Sequence, residues 1–265
     1  MMIDKILLFI PAYNCEKQII RVLKQLNSLV LSYITEVLII NNCSSDNTEE
    51  AIIKFMETNT EMPLHLLRND ENYGLGGSHK VAFNYAIENN FNYVIILHGD
   101  DQGAINDIMP ILDHKIHQQY DACLGARFQI HSQLQGYSSF RTFGNKVYNM
   151  LFSLVCRKKI YDLGSGLNIY KVNKLKSKFY SKFPDNLTFN YCMIMAVDYY
   201  KQNIMFFPIT WREEDQTSNV KLFNQAIRVL KMLLQYVLFP SKFINAELRE
   251  KIIHGYTAKT IYKLK

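Results

Sequence analysis

The stretch NYVIILHGDDQG, residues 92 to 103, runs through an almost wholly apolar segment and stops abruptly at an imidazole, two carboxylates and an amide. An apolar run of this length reads as a strand covered on both faces. In open α/β sheets ligands bind beyond the carboxyl ends of the strands, so His98, Asp100 and Gln102 fall where a site belongs. Their spacing of two places them on one side of an extended chain, offering nitrogen and oxygen ligands to a hard divalent cation. Gly99 and Gly103 permit a tight backbone there. Such a cation is usually completed by substrate phosphates and water, which points to a diphosphate-bearing ligand. Taken alone, the stretch also reads as a turn with its carboxylates in solvent.

The same pattern extends outward. KILLFI (5–10), TEVLII (35–40), LHLLR (64–68) and DACLGA (121–126) read as further strands. EKQIIRVLKQLNSLVL (16–31), DNTEEAIIKFMET (46–58), GSHKVAFNYAIEN (77–89) and INDIMPILDHKIHQQ (105–119) carry apolar residues at spacings of three and four, which predicts helices. Ser45 or Asp46 is the expected N-cap of the second. Strands alternating with helices predict an α/β fold with a mostly parallel central sheet flanked by helices. The first three strands end in polar or Gly-rich loops, PAYNCE, NNCSSDNT and NDENYGLGGSHK, which a parallel sheet gathers on one edge with HGDDQG.

Further along, the pattern loosens into a polar loop (129–140), a helix (141–156), the segment DLGSGLNIYK (162–171), a helical region near 186–202 and IMFFPITW (204–211). No Pro-, Gly- or Ser-rich linker divides the chain, so residues 1–218 read as one domain and 219–265 as a basic, amphipathic helical extension. From Asn219 to Phe239, polar residues recur every three or four positions beside an apolar face that includes Ile227, Leu230, Leu234 and Val237, and Pro240 ends the helix. That face either packs on the domain or lies in a membrane interface. Of a net charge of +6, the surplus sits here, with nine Lys or Arg against Glu247 and Glu250 over residues 220–265. The expected partner is an anionic surface, phospholipid or nucleic acid, with plain solvation as the alternative. Nucleic acid is set aside because no basic-aromatic module is present.

With 265 residues, 48% hydrophobic and 20% charged, the chain has a globular composition, and no stretch of about 18 apolar residues suggests a membrane span. MMIDKILLFIPAYN offers five apolar residues before a proline, too few for a secretory leader, so the expected location is the cytoplasm or the inner face of its membrane. Cys15, Cys43, Cys123, Cys156 and Cys192 form no C-x-x-C pair and read as reduced thiols. GLGGSH fails the dinucleotide fingerprint at His79, no P-loop occurs, and DLGSGL puts Asp162 at the first position of G-x-S-x-G.

In their order, these loops resemble the family 2 glycosyltransferases of GT-A fold, in particular the branch similar to dolichyl-phosphate mannose synthase, over about residues 5–222. PAYN (Pro11, Ala12, Tyr13, Asn14) looks like the opening nucleotide-binding loop, and NNCSSDNT, with Asn41 and Asn42, sits where the family has D-D-G-S-T-D-x-T. NYGLGGSHK, with Gly76 and Lys80, is similar to N-x-G-x-G-x-A-x, and HGDDQG stands at the D-x-D-x-Q metal motif. GARF (125–128) looks like G-S-R-[YF], and DLGSGLNIYK matches D-x-[TS]-S-G-[FL]-x-x-Y. The resemblance implies a nucleotide-sugar donor of UDP or GDP type on those loops, with Mg²⁺ or Mn²⁺ on Asp100 and Gln102. It also implies Arg127 as a cation on the donor phosphates, with Arg141 a second cation for an acceptor phosphate. Asp100, Arg127 and Arg141 are then the expected catalytic groups.

Three departures bear on chemistry. His98 replaces the first aspartate of the metal motif, which makes the site less anionic and favours Mn²⁺. Asn41 and Asn42 replace an acidic pair that receives base and ribose, and amides both donate and accept, so uracil and guanine are not distinguished. In place of an acidic pair holding a general base, YCMIMAVDYY offers only Asp198, with Glu213, Glu214 and Asp215 after Trp211 as alternatives. A hydroxyl acceptor needs such a base, whereas a phosphate acceptor is already ionised and needs cations. The expectation is inverting, metal-dependent hexose transfer to a polyprenyl phosphate or a cell-envelope saccharide. The alternative, raised by His98, Asn41 and Asn42, is a non-catalytic partner of the same fold in a glycan assembly complex. A sugar-nucleotide pyrophosphorylase would need glycine directly after the first strand, and IPAYN has none.

Overall fold

Strand β1 (Ile6–Ala12) sends Leu7 and Phe9 to one face of the sheet and Ile6, Leu8 and Ile10 to the other, all buried. Apolar side chains on both faces require cover on both, and this decides the architecture. The computed structural model describes residues 4–213 and 222–264. Its strands continue with β2 (Glu36–Asn41), β3 (Leu64–Asn69), β4 (Tyr93–Leu97), β5 (Ala122–Ala126), β6 (Gln133–Gln135), β7 (Leu167–Lys171), β8 (Ile204–Pro208), β9 (Thr210–Arg212) and β10 (Ala258–Lys263). Eight form one sheet in the order β10-β3-β2-β1-β4-β7-β5-β8, and β6 and β9 form a separate pair. Strands β1, β2, β3 and β4 run parallel, as do β5 and β8, while β7 and β10 are antiparallel to their neighbours. The sheet is therefore mixed and mostly parallel, as expected for the α/β class.

The helices are α1 (Glu16–Lys24), α2 (Ser28–Leu31), α3 (Thr48–Thr58), α4 (Gly74–Glu88), α5 (Met109–Asp113), α6 (Ser139–Cys156), α7 (Phe189–Tyr199), α8 (Leu222–Leu238) and α9 (Pro240–Asn245). Helices α1, α3 and α5 cover one face, where Ile19, Val22, Leu23, Ile52 and Met56 pack with Leu8 and Ile10. Helices α4, α7 and α8 cover the other, with Phe83, Phe189 and Leu233 in the cluster around Phe9.

Several local expectations needed correction. The single helix expected over 16–31 is two, because the Asn27 side chain caps a fresh start by accepting from Val30 N at 3.0 Å. The helix expected over 105–119 is broken into short turns, with Pro110 near the start of α5 and Lys115 in a left-handed conformation at φ 52°. At the start of α3 the N-cap position is Asn47, yet Asp46 does accept from Thr48 N at 3.1 Å. In the extension, α8 ends at Leu238, ahead of Pro240 as expected, but Pro240 opens the short helix α9 and the chain then adds the strand β10 to the edge at β3. Residues 214–221, including Glu214, Asp215 and Asn219, lie outside the described residues.

A buried knot fastens this C-terminal segment. Lys80 on α4 is enclosed, and its ammonium donates to Phe183 O (2.5 Å), Asp185 Oδ1 (2.7 Å) and Tyr256 Oη (3.0 Å). Burial pulls its pKa below the ordinary lysine value, and Asp185 offsets part of that. Removing one partner of a buried ion pair leaves an uncompensated charge. Asp185→Ala is thus expected to cost about 3–5 kcal/mol in urea unfolding, with most of the loss recovered in Lys80→Met/Asp185→Ala. A cost under about 1 kcal/mol would mean that the knot does not hold the segment.

Candidate active site

The loops after β1, β2, β4 and β5 open into one cleft of about 1220 Å³, with α6 as its far wall. After Leu97 the backbone turns instead of continuing as a strand, and Asp101 adopts a left-handed φ of 59°. His98, Asp100 and Gln102 all line the cleft, so it is the turn, not a strand pleat, that points them the same way. Asp101 faces elsewhere. Its carboxylate accepts from Arg21 (2.6 Å), Gln25 (3.0 Å) and Arg212 (3.2 Å), which locks the turn. The turn is also bonded to its neighbours, by Gly99 N to Pro11 O (3.1 Å) and His98 N to Gly166 O (2.9 Å). A side chain at Gly166 would lie 2.9 Å from the His98 ring, so glycine is required there for the imidazole to seat.

Arg127, just after β5, donates through Nε and Nη2 to the two Asp162 oxygens, both at 2.8 Å, and its backbone N–H also bonds Asp162 (2.8 Å). Its guanidinium lies 4.8 Å from the Trp211 ring centre. Burial opposes its charge, but Asp162 more than compensates, so its pKa stands above the ordinary arginine value. Arg141, in the first turn of α6, lies over the Tyr137 ring at 4.8 Å and is hydrogen-bonded to Glu213. Both arginines line the cleft, as does Glu213.

The loops expected to hold a nucleotide divide into lining and bracing residues. Pro11, Ala12, Tyr13 and Asn42 line the cleft. Asn14 braces two loops, accepting from Ser45 N (2.8 Å) while its own N–H donates to Ser44 Oγ (3.0 Å). Asn41 is buried below, donating to Glu49 (2.7 Å) and accepting from Ser44 N (3.0 Å). Gly76 packs where a side chain would strike Pro184 O at 2.5 Å, and Lys80 is consumed in its knot; neither lines the cleft. Asp198, read above as a candidate base, accepts from Tyr236 on α8 (2.6 Å) and is also outside the lining. Residues not singled out in sequence complete the surface. Asn72 accepts from Asn42 Nδ2 (2.7 Å), and Trp211 and Tyr137 lie against the arginines. Asp162 was visible as the first letter of its motif, whereas nothing in the sequence marked the aromatic supports.

The profile of glycosyl transferase family 2 matches residues 8–179, most of the sheet and the loops after its first strands. The chain belongs to glycosyltransferase family 2. It is 24% identical over 232 residues to an uncharacterised protein of Methanocaldococcus jannaschii, covering 86% of this chain and 97% of that one. It is 25% identical over 187 residues to the UDP-N-acetylglucosamine–dolichyl-phosphate N-acetylglucosaminyltransferase of Methanococcus voltae, covering 66% and 73%. Among solved structures it resembles glucosyl-3-phosphoglycerate synthase of Mycobacterium tuberculosis bound to UDP, at TM-score 0.63 and 13% identity, covering 90% and 82%. Another complex of that synthase holds Mn²⁺, UDP-glucose and glycerol 3-phosphate (TM-score 0.60, 12% identity, 89% and 79% covered).

For a family 2 chain, the donor set facing the cleft fits one divalent cation only in part. Among the described residues there is no cluster of three His, Cys, Asp or Glu side chains. What there is suits a shared ion. Burial and the nearby Arg127 push the His98 pKa down to about 4, leaving a neutral imidazole with a lone pair. Burial pushes Asp100 up to about 6, and its carboxylate has no ion-pair partner among the described residues. An unpaired, partly desolvated carboxylate beside a neutral imidazole and an amide oxygen can hold a cation whose remaining ligands come from a diphosphate.

The shift has a sign that can be tested. The folded-state value of about 6 lies above the ordinary 3.8, so the cost of ionising Asp100 is nearly absent toward pH 4 and fully present above pH 6. Asp100→Asn is expected to be more stable than the parent by roughly 1–3 kcal/mol at pH 8, without added metal, and to lose that advantage as pH falls toward about 4. Denaturant melts at the two pH values check this. An advantage that does not change with pH would show that the carboxylate is not desolvated.

Proposed function

We propose that this family 2 chain transfers a hexose, with inversion, from a nucleotide-diphosphate sugar to the phosphate of a polyprenyl carrier, as in the dolichyl-phosphate branch. One observation carries the choice of acceptor. Asp100 and Glu213 are the only carboxylates in the described lining, Asp100 sits at the turn assigned to the metal, and Glu213 is bonded to Arg141. Among the described lining residues no unengaged carboxylate remains to deprotonate a hydroxyl, while Arg127 and Arg141, each already paired with one carboxylate, bring two guanidinium groups to the cleft for phosphates. The acceptor named for the Methanococcus voltae relative, dolichyl phosphate, agrees with this reading.

In this scheme Pro11 to Tyr13, Asn42 and Asn72 hold the nucleoside, and His98, Asp100 and Gln102 would hold Mn²⁺ or Mg²⁺. When bound, the cation neutralises the charge that builds on the diphosphate. Arg127, immobilised by Asp162, supports the same charge without rearranging. Arg141 orients the acceptor phosphate, one oxygen of which attacks the anomeric carbon as the bond to the diphosphate breaks and its electron pair leaves with the nucleotide. Among the described lining residues, a saccharide hydroxyl acceptor would instead draw on Glu213, released from Arg141.

Thermal melts with UDP-, GDP-, CMP- and dTDP-sugars, with and without Mn²⁺, test the donor half, since ligands that bind only the folded state raise its Tm. The expectation is a Mn²⁺-dependent rise with one nucleotide that vanishes in Asp100→Ala. Transfer of radiolabelled sugar to a short polyprenyl phosphate tests the other half, with Arg141→Ala expected to slow it by about 100-fold while leaving the donor-induced rise intact. No rise with any donor supports the non-catalytic reading. Transfer to a saccharide but not to the lipid phosphate overturns the acceptor.

A further inference from the structure

Where α6 and α8 meet at the cleft mouth, they carry an exposed apolar surface that donor binding does not explain. Helix α6 buries Asn149, Phe152 and Cys156 and turns Phe143, Met150 and Leu154 outward, at 68%, 56% and 69% exposure. Helix α8 buries Val229, Leu233 and Tyr236 and turns Leu230, Leu234 and Val237 outward, each more than half exposed. The helices touch, and Phe143 and Leu230 both line the cleft, so the two stripes converge on its mouth. Contiguous apolar surface of this kind marks an interaction site.

The charges around it indicate the partner. Helices α6, α8 and α9 contain Arg141, Lys146, Arg228, Lys231 and Lys242 and not one Asp or Glu. Arg141 and Arg228 are paired with Glu213 and Glu250, whereas Lys146, Lys231 and Lys242 have no ion-pair partner among the described residues. An apolar face with lysines and no carboxylates on its helices complements anionic phospholipid, whose tails take the apolar groups and whose head groups take the lysines. No helix among the described residues is long and apolar enough to cross a membrane.

We propose that the α6–α8 face docks in the interface of an anionic phospholipid monolayer and that the cleft mouth opens toward it. Docking gives a lipid-borne phosphate a direct route to Arg141. It rests on the function proposed above for its purpose, but the binding itself needs neither donor nor metal.

Co-sedimentation of the full chain with vesicles of phosphatidylcholine alone, or mixed with phosphatidylglycerol, is the test, run without nucleotide. Binding to the anionic vesicles is expected to exceed binding to neutral ones by about tenfold or more, and to fall by a similar factor in Met150→Glu/Leu234→Glu and in Lys146→Glu/Lys231→Glu. All four side chains are exposed and lie outside the cleft lining, so Tm and any donor-induced shift should match the parent and separate lost docking from lost fold or lost donor. A parent that stays in the supernatant with anionic vesicles, or variants that bind as the parent does, overturns the proposal. So does a dimer in sedimentation velocity that Met150→Glu/Leu234→Glu converts to monomer while no vesicle binding occurs, because the face would then belong to a second copy.

Discussion

The paired hydrogen bonds between the Arg127 guanidinium and the Asp162 carboxylate join positions 35 residues apart, at the end of β5 and just before β7. Because the Arg127 backbone N–H bonds the same carboxylate, the pair fixes main chain as well as side chain. A buried pair of this kind adds little net stability over an apolar contact, and its importance lies in where it puts things. It holds the guanidinium against Trp211, and it holds the loop whose Gly166 carbonyl receives the His98 N–H. Strands β4, β7 and β5 are consecutive in the sheet, so the turn at His98, the loop at Asp162 and the arginine form one continuous wall.

That wall brings both signs of charge to the cleft. Asp100 has no ion-pair partner among the described residues, while Arg141 is pinned by Glu213 and supported by Tyr137. With a neutral imidazole at His98, the lining carries few carboxylates, and a site of this sort suits ligands that bring their own negative charge. The amides Asn42 and Asn72, bonded to each other, add orientation without charge.

The parallel core was legible because β1, β2 and β4 are apolar on both faces, a signal that needs no partner to read. Strand β10 was not legible, because AKTIYK has no fully buried position and is strand only through backbone pairing with β3. That Asp100 faces the cleft together with His98 and Gln102 could be anticipated from their spacing, although a turn produces it. Lys80 could not be placed, since the groups that consume it lie 103, 105 and 176 residues away. The same holds for Asp198, whose partner Tyr236 comes from a helix that sequence left free to pack or to face lipid. Tertiary contacts of long separation decided which polar residues stayed available for chemistry.

The pairing of β10 with β3 also sets an order of events during synthesis. Thr260 meets His65 across a separation of 195 residues, so the edge of β3 has no strand partner there until residues 258–263 have been made. Loop closure over such a span is slow, and an open strand edge invites pairing with other chains in the interval. The nascent protein therefore passes through a stage in which its parallel strands are made but their edge is unsealed, and a chain cut short before residue 258 would stay there.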